Sequence, residues 1–292
     1  MATKALDYYL PHKATWPIVG SIGLTTLLVG FANTLNGVTV GPTMMMVGGA
    51  VMIFMFFGWF GTVIRESLAG LYNHQVDISF RWGMIWFIGS EVMFFAAFFG
   101  TLYYARMYSI PWLGGEGGLG GADGATQRLL WEGFQAVWPT NGPGHVGGHF
   151  EQMGAWGVPA LNTMILLTSG ATVTWAHWGL IANNRPQLIK GLMATVALGF
   201  SFVVMQGVEY HEAYSEMGLT LGSGIYGSTF FMLTGFHGLH VTIGAIMLTV
   251  VLIRSMRGHF SEHNHFAFEA AAWDGHFVDV VWLGLFVFVY WL

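Results

Sequence analysis

The segment that decides the fold runs from Ile225 to Ile253 and reads IYGSTFFMLTGFHGLHVTIGAIMLTVVLI. None of its 29 residues is Asp, Glu, Lys or Arg. A helix needs about 20 mostly apolar residues to cross the roughly 30 Å hydrocarbon core of a bilayer. The segment is therefore long enough and apolar enough to cross a membrane as a single helix.

Six other segments have the same character. Their approximate limits are 16–36, 42–64, 82–107, 159–182, 188–213 and 269–292. The composition of the chain agrees, since only 9% of its residues are charged, whereas a soluble domain has about 25%. So few charges cannot cover a globular surface. The sequence therefore predicts an all-α integral membrane protein with seven transmembrane helices.

Charge and composition exclude several classes of function. The net charge of -5 leaves no basic footprint for nucleic acid, so no nucleic-acid partner is expected. The chain has 0 Cys residues, which excludes disulfides, thiolate zinc sites, iron–sulfur clusters and thiolate copper sites.

The basic residues predict the orientation of the chain. Eight of the 10 Lys and Arg residues fall on one side of the membrane if the seven spans alternate in direction. The opposite side has only Arg106 and Arg128, at one long Gly-rich outer loop of about 108–158. Because Lys and Arg remain on the cytoplasmic side, the amino terminus is predicted in the cytoplasm and the carboxyl terminus outside. We expect a multi-pass protein of the bacterial inner (plasma) membrane, in preference to the mitochondrial inner membrane. The basic residues assigned to the cytoplasmic side are Lys4, Lys13, Arg65, Arg81, Arg185, Lys190, Arg254 and Arg257.

Ionisable side chains inside the predicted helices are costly in lipid. Glu91, in the third helix, could be a proton relay or a structural carboxyl group, and the structural role is favoured. His237 and His240 are three residues apart in the sixth helix and share a face. They could bind a metal or haem, but hydrogen bonding within a bundle is favoured. His276 and Asp279, in the seventh helix, could form a proton shuttle or a polar clasp.

Two further features concern helix ends and helix packing. Glu209 and Glu212 share a face at the end of the fifth predicted helix, where ordinary polarity at the membrane surface is the favoured interpretation. Small residues recur within the helices and permit their close approach. These residues are Gly20, Gly23, Gly30, Gly48, Gly49, Gly235 and Gly238.

Longer strings of sequence carry a family resemblance. The most specific are Thr234-Gly235-Phe236-His237-Gly238-Leu239-His240-Val241 and His276-Phe277-Val278-Asp279-Val280-Val281-Trp282-Leu283, with Ser90-Glu91-Val92-Met93-Phe94-Phe95 in the third helix. In these strings the chain resembles cytochrome c oxidase subunit III, of the haem-copper oxidase subunit III family. The resemblance covers nearly every predicted helix, but Asp274 and Gly275 stand where the family usually has aromatic residues.

The resemblance implies a division of the chain and a set of lipid contacts. Residues 1–75 would form the amino-terminal tail and a two-helix arm, and residues 76–292 a five-helix bundle, with a lipid-filled cleft separating the two. The buried reactive acid of the family falls on Glu91. The residues that match the phospholipid contacts of the family are Trp59, Arg65, Glu66, His74, Arg254, Arg257 and His259.

The resemblance also implies the function. The chain would be a non-redox subunit of a proton-pumping cytochrome c oxidase in the aerobic respiratory chain, with no catalytic residue and no metal of its own. Haem and copper would lie in two partners, the catalytic haem-copper subunit I and the copper-binding subunit II, which reduce oxygen to water. Cytochrome c would be only an indirect partner. This chain would support proton uptake and the turnover stability of the catalytic subunit, and would bind structural phospholipids.

Two other functions remain open on the residues alone. A freestanding proton or ion transporter could be built on Glu91, although transporters often show internal repeats and broken helices and neither is evident. A membrane di-iron oxygenase needs several grouped histidines and an adjacent His-His pair, and the chain has no such pair. The spaced residues that suggest this oxygenase are His145 and His149, His237 and His240, and Glu262 and His265.

Overall fold

A computed structural model describes residue 9 and residues 14–116 and 124–292, and all regular structure within them is helical. Lys4, Lys13 and the segment 117–121 of the Gly-rich loop lie outside the described residues. The helices are α1 (Trp16–Leu35), α2 (Gly41–Leu68), α3 (His74–Tyr104), α4 (Ile110–Leu113), α5 (Ala125–Leu129), α6 (Val158–Ile181), α7 (Arg185–Ser215), α8 (Gly224–Met256) and α9 (Phe266–Leu285), with π-helical turns at Ala105–Ser109 and Phe286–Trp291.

The predicted all-α membrane fold is confirmed, and each of the seven predicted spans corresponds to one long helix. Among the described residues, six helical stretches are long and apolar enough to cross a membrane: Trp16–Leu35, Gly41–Leu68, His74–Leu113, Arg185–Ser215, Gly224–Met256 and Phe266–Trp291. The remaining predicted span is α6, which contains several hydroxyl-bearing side chains. Thr163, Thr168 and Thr174 donate hydrogen bonds to carbonyl oxygens four residues earlier in α6, so these hydroxyls need no partner outside the helix.

One predicted boundary is wrong. The third span begins at His74 rather than near 82, so Arg81 lies inside α3. Its Nε atom is 2.8 Å from Asp77 Oδ2, and this i,i+4 ion pair allows the helix to continue through two charged residues.

The described residues form two compact units, one up to Trp82 and one from Gly83 onward. The predicted division at 75/76 and the lipid-filled cleft stay predictions. In the first unit α1 and α2 pack as a hairpin, and four of the predicted small residues lie at their contact. A Cβ atom on Gly30 would be 2.6 Å from the backbone nitrogen of Met45, and one on Gly48 would be 2.5 Å from that of Leu27. Both positions therefore require glycine.

The second unit is built around aromatic side chains. Its core includes Phe202, Tyr226, Trp282 and Tyr290, all nearly inaccessible to solvent. The part of α3 after Gly83 contacts α8 through large side chains, as in the edge-to-face pair of Phe94 and Phe236 at 5.0 Å between ring centroids.

Hydrogen bonds between helix ends fix the direction of neighbouring helices in the second unit. Arg106, at the end of α3, donates to the carbonyl oxygen of Leu292. Arg185, at the start of α7, donates to the carbonyl oxygen of Met256 at the end of α8. The ends of α3 and of the chain therefore share one side, as the predicted alternation of spans requires.

Candidate functional site

The first group of predicted lipid contacts lies at the end of α2 and the start of α3. Arg65 is exposed and donates a hydrogen bond from Nη2 to Thr62 Oγ1 at 3.0 Å. It has no carboxylate partner in the part of the chain that the structure describes. Trp59, two helical turns earlier, exposes 45% of its surface, and His74 is also exposed. An exposed guanidinium without a carboxylate partner among the described residues, on the same helix as an exposed indole ring, suits a phospholipid headgroup at the membrane surface.

Glu66 has a different environment from its neighbour Arg65. Its two carboxylate oxygens accept hydrogen bonds from the hydroxyl groups of Tyr9, at 3.0 Å, and Tyr72, at 2.7 Å. Burial, and then the hydrogen bond to Glu66, raise the pKa of Tyr72 above its usual range. Glu66 therefore fastens the turn after α2, and its contact with lipid stays a prediction.

The second group lies at the end of α8. Arg254 is only 8% exposed, and its guanidinium lies 4.5 Å from the centroid of the Phe260 ring. Its Nε atom is buried without a hydrogen-bond partner among the described residues, as is Nδ1 of His259. Arg257 is exposed. Buried cations are normally paired, so the arrangement at Arg254 suits an anionic group supplied from outside the chain.

Glu91 and His240 form one hydrogen-bonded pair between α3 and α8. His240 Nε2 is 2.9 Å from Glu91 Oε2, and His240 Nδ1 is 2.6 Å from the carbonyl oxygen of Phe236. A carbonyl oxygen only accepts, so Nδ1 carries a proton and donates it. The hydrogen bond between His240 Nε2 and Glu91 Oε2 requires one further proton, carried either by the nitrogen or by the oxygen. The pair therefore holds a shared proton and also fastens two helices.

His237 does not point in the same direction as His240. It is fully buried, and its Nε2 atom is 3.2 Å from the carbonyl oxygen of Val278 on α9. Its ring lies 5.1 Å from that of Trp282 and 5.4 Å from that of Phe202. The two histidines therefore contact different helices, because His237 reaches α9 and His240 reaches α3.

His276 and Asp279 lie together on α9, with Nδ1 and Oδ2 separated by 3.8 Å. His276 is exposed, and its Nε2 is 3.4 Å from Thr174 Oγ1 on α6. Asp279 also lines a cavity of about 40 Å³, together with Ser169, Thr195 and His240. Its size admits a water molecule, but most of the residues that line it are apolar. The cavity thus brings Asp279 and the Glu91 partner His240 to the wall of one small space.

Sequence reasoning missed one buried polar pair. Glu209 is fully buried, and its Oε1 accepts a hydrogen bond from the Tyr290 hydroxyl at 2.5 Å. Glu212 is exposed, so the two acids have different environments, and the prediction that Glu209 lies at the membrane surface is wrong. The sequence held a signal for this burial, because residues at spacings of three and four share one face of a helix. The buried residues of α7 that follow this spacing are Phe202, Gln206, Glu209 and Ala213.

The residues that suggested a di-iron oxygenase are dispersed in the structure. His145 and His149 lie exposed in the outer loop. Glu262 contacts His263, at 3.2 Å, in an exposed segment. His237 and His240 contact different helices. No centre for two iron ions is formed by these residues in the ranges that the structure describes.

The helices and their interior contacts define a multi-pass membrane protein whose buried polar groups join one helix to another. The chain matches the profile of the family described as "Cytochrome c oxidase subunit III" over residues 6–120 and 134–292. It is 40% identical to the cytochrome c oxidase subunit 3 of Marchantia polymorpha over 285 residues, which is 97% of this chain and 96% of the relative. It is 39% identical to that of Oncorhynchus masou over 292 residues, 100% of this chain and 99% of the relative.

The chain belongs to the cytochrome c oxidase subunit III family. It is therefore a subunit of a respiratory cytochrome c oxidase complex, and in this family the subunit itself carries no redox centre. The resemblance recognised in the sequence is confirmed, as is the assignment to an enzyme complex rather than to an independent enzyme.

Proposed function

We propose that this chain stabilises the catalytic subunit of a proton-pumping oxidase during turnover, supports its proton uptake, and binds structural phospholipids. The partners are the haem-copper subunit I and the copper-binding subunit II, which hold the redox centres and reduce oxygen to water. Cytochrome c delivers its electrons to those partners and contacts this chain only indirectly. The proposed location is the bacterial inner membrane, with the amino terminus in the cytoplasm.

The observation that carries the lipid proposal is the burial of Arg254. Its guanidinium is 8% exposed and has an aromatic ring on one face, but no carboxylate partner among the described residues. An uncompensated buried charge is costly, and a phospholipid phosphate would compensate it with charge-assisted hydrogen bonds. The exposed guanidinium of Arg65 supports a second contact of the same kind.

The proposal for proton uptake is supported by the segment between α8 and α9. Glu262 and His263 are exposed there, and their oxygen and nitrogen atoms are 3.2 Å apart. Exposed carboxyl and imidazole groups exchange protons readily with water near neutral pH. By the predicted orientation this segment faces the cytoplasm, the side from which a pumping oxidase takes up protons.

The experiment compares the complete oxidase with the same oxidase after removal of this chain. We expect similar initial rates of electron transfer, because the redox centres lie in the partners. We also expect faster loss of activity during continuous turnover without the chain, with a half-life shortened several-fold. Equal half-lives with and without the chain would contradict the proposal. A large loss of the initial rate would show instead that the chain takes part in electron transfer.

A further inference from the structure

Three ligating side chains converge where α6 ends and α9 begins. They are His177 on α6, His265 immediately before α9, and Glu269 in the first turn of α9. One ligand atom from each residue lies within 4.8 Å of the other two. Among the described residues, this is the one group of three or more His, Asp or Glu side chains that meets this criterion.

The distances match those between ligands of a small metal ion. Glu269 Oε1 is 3.2 Å from His265 Nε2 and 3.8 Å from His177 Nε2. A tetrahedral zinc ion with bonds of about 2.0–2.1 Å places its ligand atoms about 3.3 Å apart. Small side-chain rotations would therefore bring all three atoms into the coordination sphere of one ion.

The protonation of His265 supports the same interpretation. Its Nδ1 atom is 3.0 Å from the carbonyl oxygen of Ser261, so Nδ1 carries the proton and donates it. Nε2 then lies on the side of the ring that faces Glu269, and it can offer a lone pair to a metal ion bound there. A backbone carbonyl that holds the second ring nitrogen is the usual outer partner of a metal-bound histidine, because it fixes the tautomer and the ring orientation.

His177 contributes the second imidazole nitrogen of the cluster. Its Nε2 is buried and has no hydrogen-bond partner in the described part of the chain. Its ring is held between that of His265, at 5.6 Å, and that of Phe268, at 5.3 Å. The packing thus directs the nitrogen toward Glu269, and the cluster unites two imidazole nitrogens with a carboxylate oxygen.

We infer that His177, His265 and Glu269 bind one divalent zinc-class ion, which fastens the end of α6 to the start of α9. Two imidazoles and a carboxylate suit zinc, and the Irving–Williams order favours zinc over ferrous iron at such a site. The fourth ligand is water. The ion is structural and carries no electrons, so the inference is compatible with a subunit that has no redox centre. It departs from the sequence prediction that the chain binds no metal, and it does not depend on the proposed role in turnover.

The test measures metal content in the whole oxidase, purified in mild detergent without strong chelators. Zinc and iron are counted by mass spectrometry per copy of this chain, for the wild type, His265→Ala, Glu269→Gln and the control His149→Ala, an exposed loop histidine. We expect the first two variants to lose one equivalent of zinc relative to the wild type and the control to lose none. Equal zinc in all four proteins would overturn the inference, as would the loss of one equivalent of iron.

A second measurement does not depend on how well the variants assemble. Anomalous diffraction from the wild-type complex, recorded on both sides of the zinc absorption edge, locates zinc directly. We expect a peak between the side chains of His177, His265 and Glu269. A wild-type map without this peak would refute the inference and would show that the cluster is a hydrogen-bonded ion pair in which one imidazole is protonated.

Discussion

Gly48 and Gly49 form a matched pair of positions for testing the close contact between α1 and α2. A Cβ atom on Gly48 would lie 2.5 Å from the backbone nitrogen of Leu27 and 2.8 Å from the carbonyl oxygen of Gly23. A Cβ atom on Gly49 would have no neighbour within 4 Å. Gly48→Ala must therefore push the two backbones apart, whereas Gly49→Ala leaves the contact unchanged.

The magnitude follows from these distances. Non-bonded atoms of this kind pack at about 3.5 Å, so the helices must separate by about 1 Å near Gly48. A gap of about 0.5–1 Å forfeits a quarter to a half of the dispersion energy of each affected contact, and overpacking costs about 1–3 kcal/mol. Both substitutions gain up to about 1 kcal/mol of helix propensity. The difference between the two variants therefore isolates the cost of packing.

The assay is the temperature at which half of this chain dissociates from the detergent-purified oxidase. We expect Gly48→Ala to lower this midpoint by roughly 2–8 °C relative to Gly49→Ala. The two variants differ by one position on the same helix, so expression and detergent effects should cancel. Equal midpoints would refute the conclusion that α1 and α2 are in backbone contact at Gly48.

Three further substitutions test the polar contacts. Arg254→Gln removes the buried cation, and we expect the purified oxidase to lose about one tightly bound phospholipid per chain, measured by lipid mass spectrometry. Glu91→Leu leaves His240 without its partner and should destabilise the chain by about 1–3 kcal/mol, whereas Glu91→Gln retains a donor and should cost less; thermal denaturation distinguishes them. Tyr290→Phe removes the donor to buried Glu209 and should also cost about 1–3 kcal/mol by the same measurement.

The substitutions of Arg254 and Tyr290 each have a control nearby. Arg257→Gln removes an exposed cation from the same helix end, and it should leave the tightly bound lipid in place if burial of the charge is decisive. Glu212→Gln changes an exposed acid one turn from Glu209 and should leave the denaturation temperature unchanged. Loss of the same lipid from the Arg257 variant, or equal destabilisation by the Glu212 variant, would contradict the reasoning.

The number and order of the helices could be predicted from sequence because lipid leaves the backbone no alternative partners. Every backbone polar group in a span must bond within its own helix, so a long apolar segment predicts a whole helix. The start of α3 was misjudged because Asp77 and Arg81 interrupt the apolar pattern. Their charges compensate each other at i,i+4, a local pairing that the hydropathy of single residues does not register.

The interior contacts were harder to predict because they depend on which helices are neighbours. The sequence placed Glu91 and His240 inside spans, but not beside each other. The cluster of His177 with Glu269 could not be inferred at all, since the spacing along the chain is long and the pairing exists only because α6 packs beside α9. Glu209 was misplaced for a different reason, because α7 continues to Ser215 and carries this acid inside the bundle.

The interior polar groups make physical sense as fasteners between helices. Apolar side chains gain little from leaving lipid for another helix, so membrane helices need packing and hydrogen bonds to set their register. Glu91 with His240 joins α3 to α8, His237 with the Val278 carbonyl joins α8 to α9, and Trp282 donates to Thr163 at 2.9 Å and joins α9 to α6. Such bonds contribute about 0.6 kcal/mol each on average, but each one specifies a single register. Side chains committed in this way have few ligand atoms left for a redox metal, which accords with a subunit that supports an electron-transfer partner and carries no redox centre itself.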